Sequence, residues 1–289
     1  MRSLLFVPGD SERKLEKAFR YGADVLILDL EDSVAAASKE AARRSVLAFL
    51  RSSREEADRP QIFVRANALR TGLNAGDLDV VMTGAPDGIL LPKAAGGSDV
   101  TLLDARLSVR EALHGIPDGA TRILAIATET GAAIFGLGTY GGSSPRLAGL
   151  AWGAEDLSAD IGALAVRDQG DWTRPFELVR NLCLFGAAAS GIAAIDTVYT
   201  DFRDLDGLRR ECEAAARDGF AGKLAIHPDQ VHVINDAFTP RPEAIAHAER
   251  VTAAFGEGAG VATLDGQMID RPHLSAAARL LARVGRIRS

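Results

Sequence analysis

The stretch Leu147-Ala148-Gly149-Leu150-Ala151-Trp152-Gly153-Ala154-Glu155-Asp156 is an apolar run that ends abruptly in small and acidic residues. An apolar run without alternation suits a parallel strand covered on both faces. Ile123-Leu124-Ala125-Ile126-Ala127-Thr128-Glu129-Thr130, just upstream, repeats the pattern. Working outward, the same kind of run recurs at Leu4–Val7, Val25–Leu28, Ile62–Val64, Ile89–Leu91, Ile192–Val198 and Lys223–Ile226. The stretches between carry helix signals, such as those opening at Ser11, Ser38 and Ser98.

Alternating strands and helices fit either a closed barrel or an open doubly wound sheet. The polar residues at the run ends favour the barrel. Asp29, Glu31 and Asp32 follow the second run, Arg65 and Asn67 the third, and Lys93 the fourth. Glu129 follows the fifth, Asp156 the sixth, and His227 and Asp229 the eighth. Charged groups at so many strand C-termini converge at one mouth in a (β/α)8 barrel. The chain therefore reads as an α/β protein, with a (β/α)8 TIM barrel over residues 1–235 and a C-terminal helical extension over 236–289. Helical patterns from Glu243 to Phe255 and from Leu274 to Val284 flank a glycine-rich stretch (Gly256, Gly258, Gly260) in that extension. This reads as a lid or as an arm for a neighbouring subunit.

Bulk properties bound the function. A chain of 289 residues that is 47% hydrophobic can bury its own core. The net charge of −6 argues against nucleic acid or an anionic membrane as the main partner. No apolar run approaches a membrane span. Cys183 and Cys212 form no disulfide framework or zinc pattern and read as buried thiols, so the expected location is cytoplasmic. No Walker or dinucleotide fingerprint is present.

Glu129 and Asp156 end neighbouring strands, with no His or Cys nearby in sequence. Two carboxylates in that position suit a hard cation, Mg2+ above all. The same spacing also allows each to pair with Arg65 or Lys93. Glu31 and Asp32 suit hydrogen bonds to metal-bound waters, or a pairing with Lys39. Arg65 can bind a carboxylate or steady a developing oxyanion. Lys93 fits an ion-pair role better than a Schiff base. His227 before Pro228 reads as a turn residue more than a base, and His114, His232, His247 and His273 as surface or packing residues.

In order along the chain stand Leu5-Phe6-Val7-Pro8-Gly9, Leu28-Asp29-Leu30-Glu31-Asp32-Ser33-Val34, Val64-Arg65-Ala66-Asn67 and Leu91-Pro92-Lys93. Glu129-Thr130, Gly153-Ala154-Glu155-Asp156-Leu157, Ile195-Asp196, Ala225-Ile226-His227-Pro228-Asp229-Gln230 and Met268-Ile269-Asp270 follow. These blocks resemble citrate lyase β-subunit-like proteins of the HpcH/HpaI aldolase superfamily across nearly the whole chain. The resemblance implies Mg2+ on Glu129 and Asp156, with Arg65 and Gly153 at the substrate. It implies homotrimers or hexamers, with Asp270 of one subunit acting as acid/base in a neighbour's site. The activity it implies is C–C bond making or breaking between an acyl-CoA thioester and a small 2-oxo acid, of the malyl-CoA or citramalyl-CoA kind. Lys14 or the tail arginines are available for CoA phosphates. The alternatives are a Mg2+ aldolase without CoA, a malyl-CoA thioesterase-type activity, and a non-catalytic subunit. Ala66-Asn67-Ala68 departs from the Ile-Asn-Pro more usual after the arginine.

Overall fold

The structure, a computed structural model, describes residues 1–56, 58–255 and 260–288, with side chains described as far as residue 285. Gly256 and Gly258, and the side chains of Arg286 and Arg288, lie outside the described residues. The chain divides into two compact units, Met1–Asn235 and Asp236–Ser289.

Among the described residues of the first unit, eight parallel strands close a barrel in chain order. They are β1 (Ser3–Pro8), β2 (Val25–Asp29), β3 (Gln61–Arg65), β4 (Gly88–Leu91), β5 (Arg122–Ile126), β6 (Leu147–Ala151), β7 (Ala193–Asp196) and β8 (Gly222–Ala225). Because β1 pairs with both β2 and β8, the barrel has no open edge, and the doubly wound alternative is excluded.

The pleat explains how the barrel carries a site. Leu4, Val25, Ile27, Phe63, Leu90, Leu124 and Ile126 form one buried interior cluster. Residues two apart share a face, so the inward rows through Val25-Ile27 and Phe63 continue into Asp29 and Arg65 at the mouth. Gly88 stands in register with Phe63, and a Cβ there would meet the Phe63 ring at 2.1 Å. Glycine leaves that ring the room to fill the interior.

Helices cover the outside. Lys39–Ser52 buries Ala42, Val46, Phe49 and Leu50, the i, i+4, i+7, i+8 stripe of an amphipathic helix. Behind β7 and β8, fully buried Lys223 donates to Asp196 and Glu211, both at 2.7 Å, and Trp152 Nε1 donates to Asp196 at 2.7 Å. Burying these charges is tolerable because they are paired; removing one partner costs ~3–5 kcal/mol. Cys183 and Cys212 are buried, and burial pushes both thiols up to about 12.

In the second unit, helix Pro242–Ala254 packs against helix Arg271–Arg288. Between them β9 (Val261–Leu264) and β10 (Gln267–Asp270) form an antiparallel hairpin. The sequence reading gives this segment, after the glycine-rich stretch, no secondary structure; it forms a hairpin. Asp265 and Gly266 both take positive φ (51° and 77°), as a two-residue mirror-image turn requires, and Asp-Gly is its signal. Among the described residues no helix is long and apolar enough to cross a membrane.

Candidate active site

A cavity of about 590 Å3 opens at the C-terminal ends of the barrel strands, with Asp29, Arg65, Glu129, Gly153 and Asp156 on its wall. Arg65 ends β3 and is clamped by its register partner on β2. Its Nε donates to Asp29 Oδ1 at 2.7 Å and its Nη2 to Oδ2 at 2.6 Å. Nη1 stands 3.1 Å from Glu31 Oε2, close enough for an ion pair although the oxygen takes no aligned hydrogen bond. The guanidinium also covers the Phe6 ring, 4.8 Å from its centroid. Burial alone would lower the Arg65 pKa, but Asp29, Glu31 and Asp32 raise it, so the charge is permanent. Asp29 is in turn held below the usual carboxylate range, because the bonds from Arg65 outweigh the effect of burial.

Glu129 follows β5 and is 3% exposed. Burial pushes its carboxyl up to about 8; the Lys93 N–H opposes this, and the nearby charges of Glu31 and Asp156 add to it. Gly153, after β6, lies directly under it: a Cβ at position 153 would sit 2.8 Å from Glu129 Cγ. The Gly153 N–H donates to Thr128 Oγ1 at 3.0 Å, which ties the two strand ends together. Asp156 stands in the first turn of helix Glu155–Ile161 and is half-buried.

Lys93 connects these acids. Its main-chain N–H donates to Glu129 Oε2. Its Nζ reaches Glu31 at 2.8 Å, Asp32 at 3.0 Å and Asp156 at 3.3 Å. Burial would lower the Lys93 pKa, but Glu31, Asp32 and Glu129 hold it above the ordinary lysine value. Lys39, the alternative partner for Glu31 and Asp32, instead donates to the carbonyls of Leu30 and Glu31, both at 2.7 Å. That leaves Asp32 to Lys93, and Glu31 to Lys93 and Arg65 together.

Five carboxylates (Asp29, Glu31, Asp32, Glu129 and Asp156) thus face two cations, Arg65 and Lys93. Oxygen donors with surplus negative charge suit a hard divalent cation, and Mg2+ needs only one or two protein carboxylates beside water and substrate oxygens. Among the described residues no three His, Cys, Asp or Glu side chains form a ready cage. The donor set therefore fits a cation that shares its shell with substrate better than a closed structural site.

Of the residues singled out in the sequence, Arg65, Glu129, Gly153 and Asp156 share one cavity wall, and Glu31 and Asp32 join them through Lys93. Asp270 ends β10 in the second unit, where its carboxylate meets His273 Nδ1 at 2.6 Å. His273, read in the sequence as a surface or packing residue, lies three positions on and contacts Asp270. His227 stacks on Phe202 at 4.8 Å, and its N–H donates to the Gln230 side chain at 3.1 Å, a turn role at the cavity rim. The ion-pair role read for Lys93 in the sequence is met at Asp156, while its contact with Glu129 is made by the main-chain N–H.

The chain is similar to known proteins over nearly its whole length. The chain is 36% identical to a (3S)-malyl-CoA thioesterase of Cereibacter sphaeroides, over 98% of this chain and 94% of that protein. It is 34% identical to the mitochondrial citramalyl-CoA lyase of Rattus norvegicus, over 97% of this chain and 85% of the relative. Among solved structures, protein CitE from Mycobacterium tuberculosis in complex with magnesium, acetoacetate and coenzyme A superposes with a TM-score of 0.75 at 35% identity, covering 98% of each chain. Residues 2–228 match the HpcH/HpaI aldolase/citrate lyase family, and with the closed barrel and the acids at its mouth this chain belongs to that family.

Proposed function

We propose that this protein is a Mg2+-dependent carbon–carbon lyase that joins or separates an acyl-CoA of the acetyl-CoA type and a small 2-oxo acid. One observation carries the reading: a single cavity wall sets the Glu129 and Asp156 carboxylates beside a clamped, permanently charged Arg65. Relatives named for acting on citramalyl-CoA and malyl-CoA, and a structural neighbour holding magnesium, acetoacetate and coenzyme A, support it.

In this reading Glu129 and Asp156 hold the metal, and Gly153 keeps the floor beneath Glu129 open for substrate. Bound there, Mg2+ supplies Lewis acidity and a template for the 2-oxo acid. Glu31 and Asp32 act one step further out, where they orient water and Lys93. Cleavage breaks the bond between the acyl α-carbon and the hydroxyl-bearing carbon; the hydroxyl passes its proton to the Asp270 carboxylate and becomes the carbonyl of the 2-oxo acid, and the bonding pair stays on the acyl group as an enolate. Arg65 steadies the enolate charge left on the thioester oxygen. Asp270 then returns a proton to the α-carbon. The unit containing Asp270 serves a neighbouring subunit's site, in a homotrimer or hexamer. Lys14 on the cavity wall offers a cation to the CoA phosphates. Two buried, free thiols suit a reducing compartment, and we place the enzyme in the cytoplasm.

Malyl-CoA and citramalyl-CoA, assayed with Mg2+ and with EDTA, test this directly. Release of glyoxylate or pyruvate is expected only with metal, and both Glu129→Gln and Asp156→Asn should abolish it. Cleavage that persists in EDTA, or equal turnover of the free acids without CoA, overturns the reading. Thioester hydrolysis is the second reading, favoured by the malyl-CoA thioesterase relative. Free thiol appearing in step with loss of malyl-CoA, with malate and not glyoxylate as product, would establish it.

A further inference from the structure

Lys93 follows Pro92 at the end of β4 with its backbone in the left-handed region, φ 52°, where a residue bearing a side chain is disfavoured. The conformation has a clear geometric yield. It turns the main-chain N–H onto Glu129 while the side chain crosses to Asp156, Glu31 and Asp32. A single residue thereby touches both proposed metal carboxylates, one through its backbone and one through its ammonium.

The local charge balance shows what the ammonium is for. Arg65 is committed to Asp29 by two hydrogen bonds and leans toward Glu31. Among the described residues Lys93 is the only ion-pair partner of Asp156 and of Asp32. Without it, four carboxylates would face one another around a partly buried mouth with no nearby cation to spare. A lysine suits the position better than an arginine, since a compact charge on a flexible stem can leave one carboxylate and stay with its neighbours.

We propose that Lys93 is the resident counter-ion of the metal site: its ammonium holds Asp156 to Glu31 and Asp32 when no metal is bound, and competes with the divalent cation for Asp156. This rests on the reading of Glu129 and Asp156 as metal ligands. Two consequences follow. The metal-free protein keeps its mouth ordered, and the metal binds more weakly than the acids alone would hold it.

The test uses the full chain freed of metal with EDTA, in wild-type form and as Lys93→Met, Lys93→Gln and Lys93→Arg. Mg2+ affinity is read by calorimetry and the metal-free melting temperature by circular dichroism. Lys93→Met and Lys93→Gln should bind Mg2+ on the order of tenfold more tightly, the scale of one unit charge removed at contact distance. Both should melt about 5 °C lower without metal and recover when Mg2+ is added. A variant that folds only with Mg2+ present supports the proposal equally. Lys93→Arg should melt like wild type. Unchanged or weaker affinity in both neutral variants, with wild type still binding Mg2+, overturns the role of Lys93 alone. A wild-type protein that binds no Mg2+ overturns the metal reading and this inference with it.

Discussion

Asp29 and Arg65 are register partners on β2 and β3, and the carboxylate takes two guanidinium hydrogen bonds, at 2.7 and 2.6 Å. Asp29 is itself fixed by N–H donors from Glu31 at 2.8 Å and Ser33 at 3.1 Å. The guanidinium is therefore aimed before substrate arrives. A preorganised charge costs no reorganisation at the moment of reaction, which is where such a donor gains its effect.

Arg65→Lys keeps the charge and loses the two-pronged grip on Asp29. Its kcat should fall by ~10²–10³-fold, the range for one lost oxyanion donor, with Mg2+ affinity changed little. Steady-state kinetics and calorimetry on the same preparation check both parts. A kcat within a few-fold of wild type would remove Arg65 from the proposed chemistry.

Gly153→Ala places a methyl 2.8 Å from Glu129 Cγ, so Glu129 must move. The overpacking should cost ~1–3 kcal/mol of stability and weaken Mg2+ binding by displacing one of its two proposed carboxylates. Urea unfolding and Mg2+ titration measure the two effects. Wild-type affinity in a folded Gly153→Ala protein would show that Glu129 does not hold the metal.

Glu129 gives a pH signature in metal-free protein. Its folded pKa is pushed up to about 8 from the ordinary 4.5, so between those values the folded state holds a proton that the unfolded chain has released. Stability from this group therefore declines as pH rises across that window and levels off above it, at ~1.4 kcal/mol per pH unit at most. Glu129→Gln removes the proton exchange. Relative to wild type in EDTA, it should become progressively more stable from pH 5 to pH 8 by urea denaturation. A pH-independent difference would contradict the burial of an uncompensated carboxylate there.

Asp270→Ala tests the proton-transfer role. The carboxylate is half-exposed and contacts His273. The variant should keep its Mg2+ affinity and its oligomeric state while losing exchange of the acetyl-CoA α-protons with solvent, followed by NMR in deuterated buffer. Undiminished exchange would exclude Asp270 as the acid/base.

The sequence by itself determined the barrel, because unbroken apolar runs and charged strand ends are local properties that survive reading one residue at a time. It likewise brought Arg65, Glu129 and Asp156 to notice, since Arg65 ends a strand, the two acids follow within a few residues of one, and every strand of a barrel points its C-terminus at the same mouth. The hairpin at Asp265-Gly266 went unread, although its Asp-Gly turn chemistry is local. Tertiary structure decided the rest. Asp29 grips Arg65 because β2 and β3 pair in one register. Lys93 reaches four acids contributed by three different strand ends because barrel closure and a left-handed backbone carry it there. Pairings of this kind depend on distances between residues 36 to 63 positions apart in the chain, and only the closed fold sets those distances.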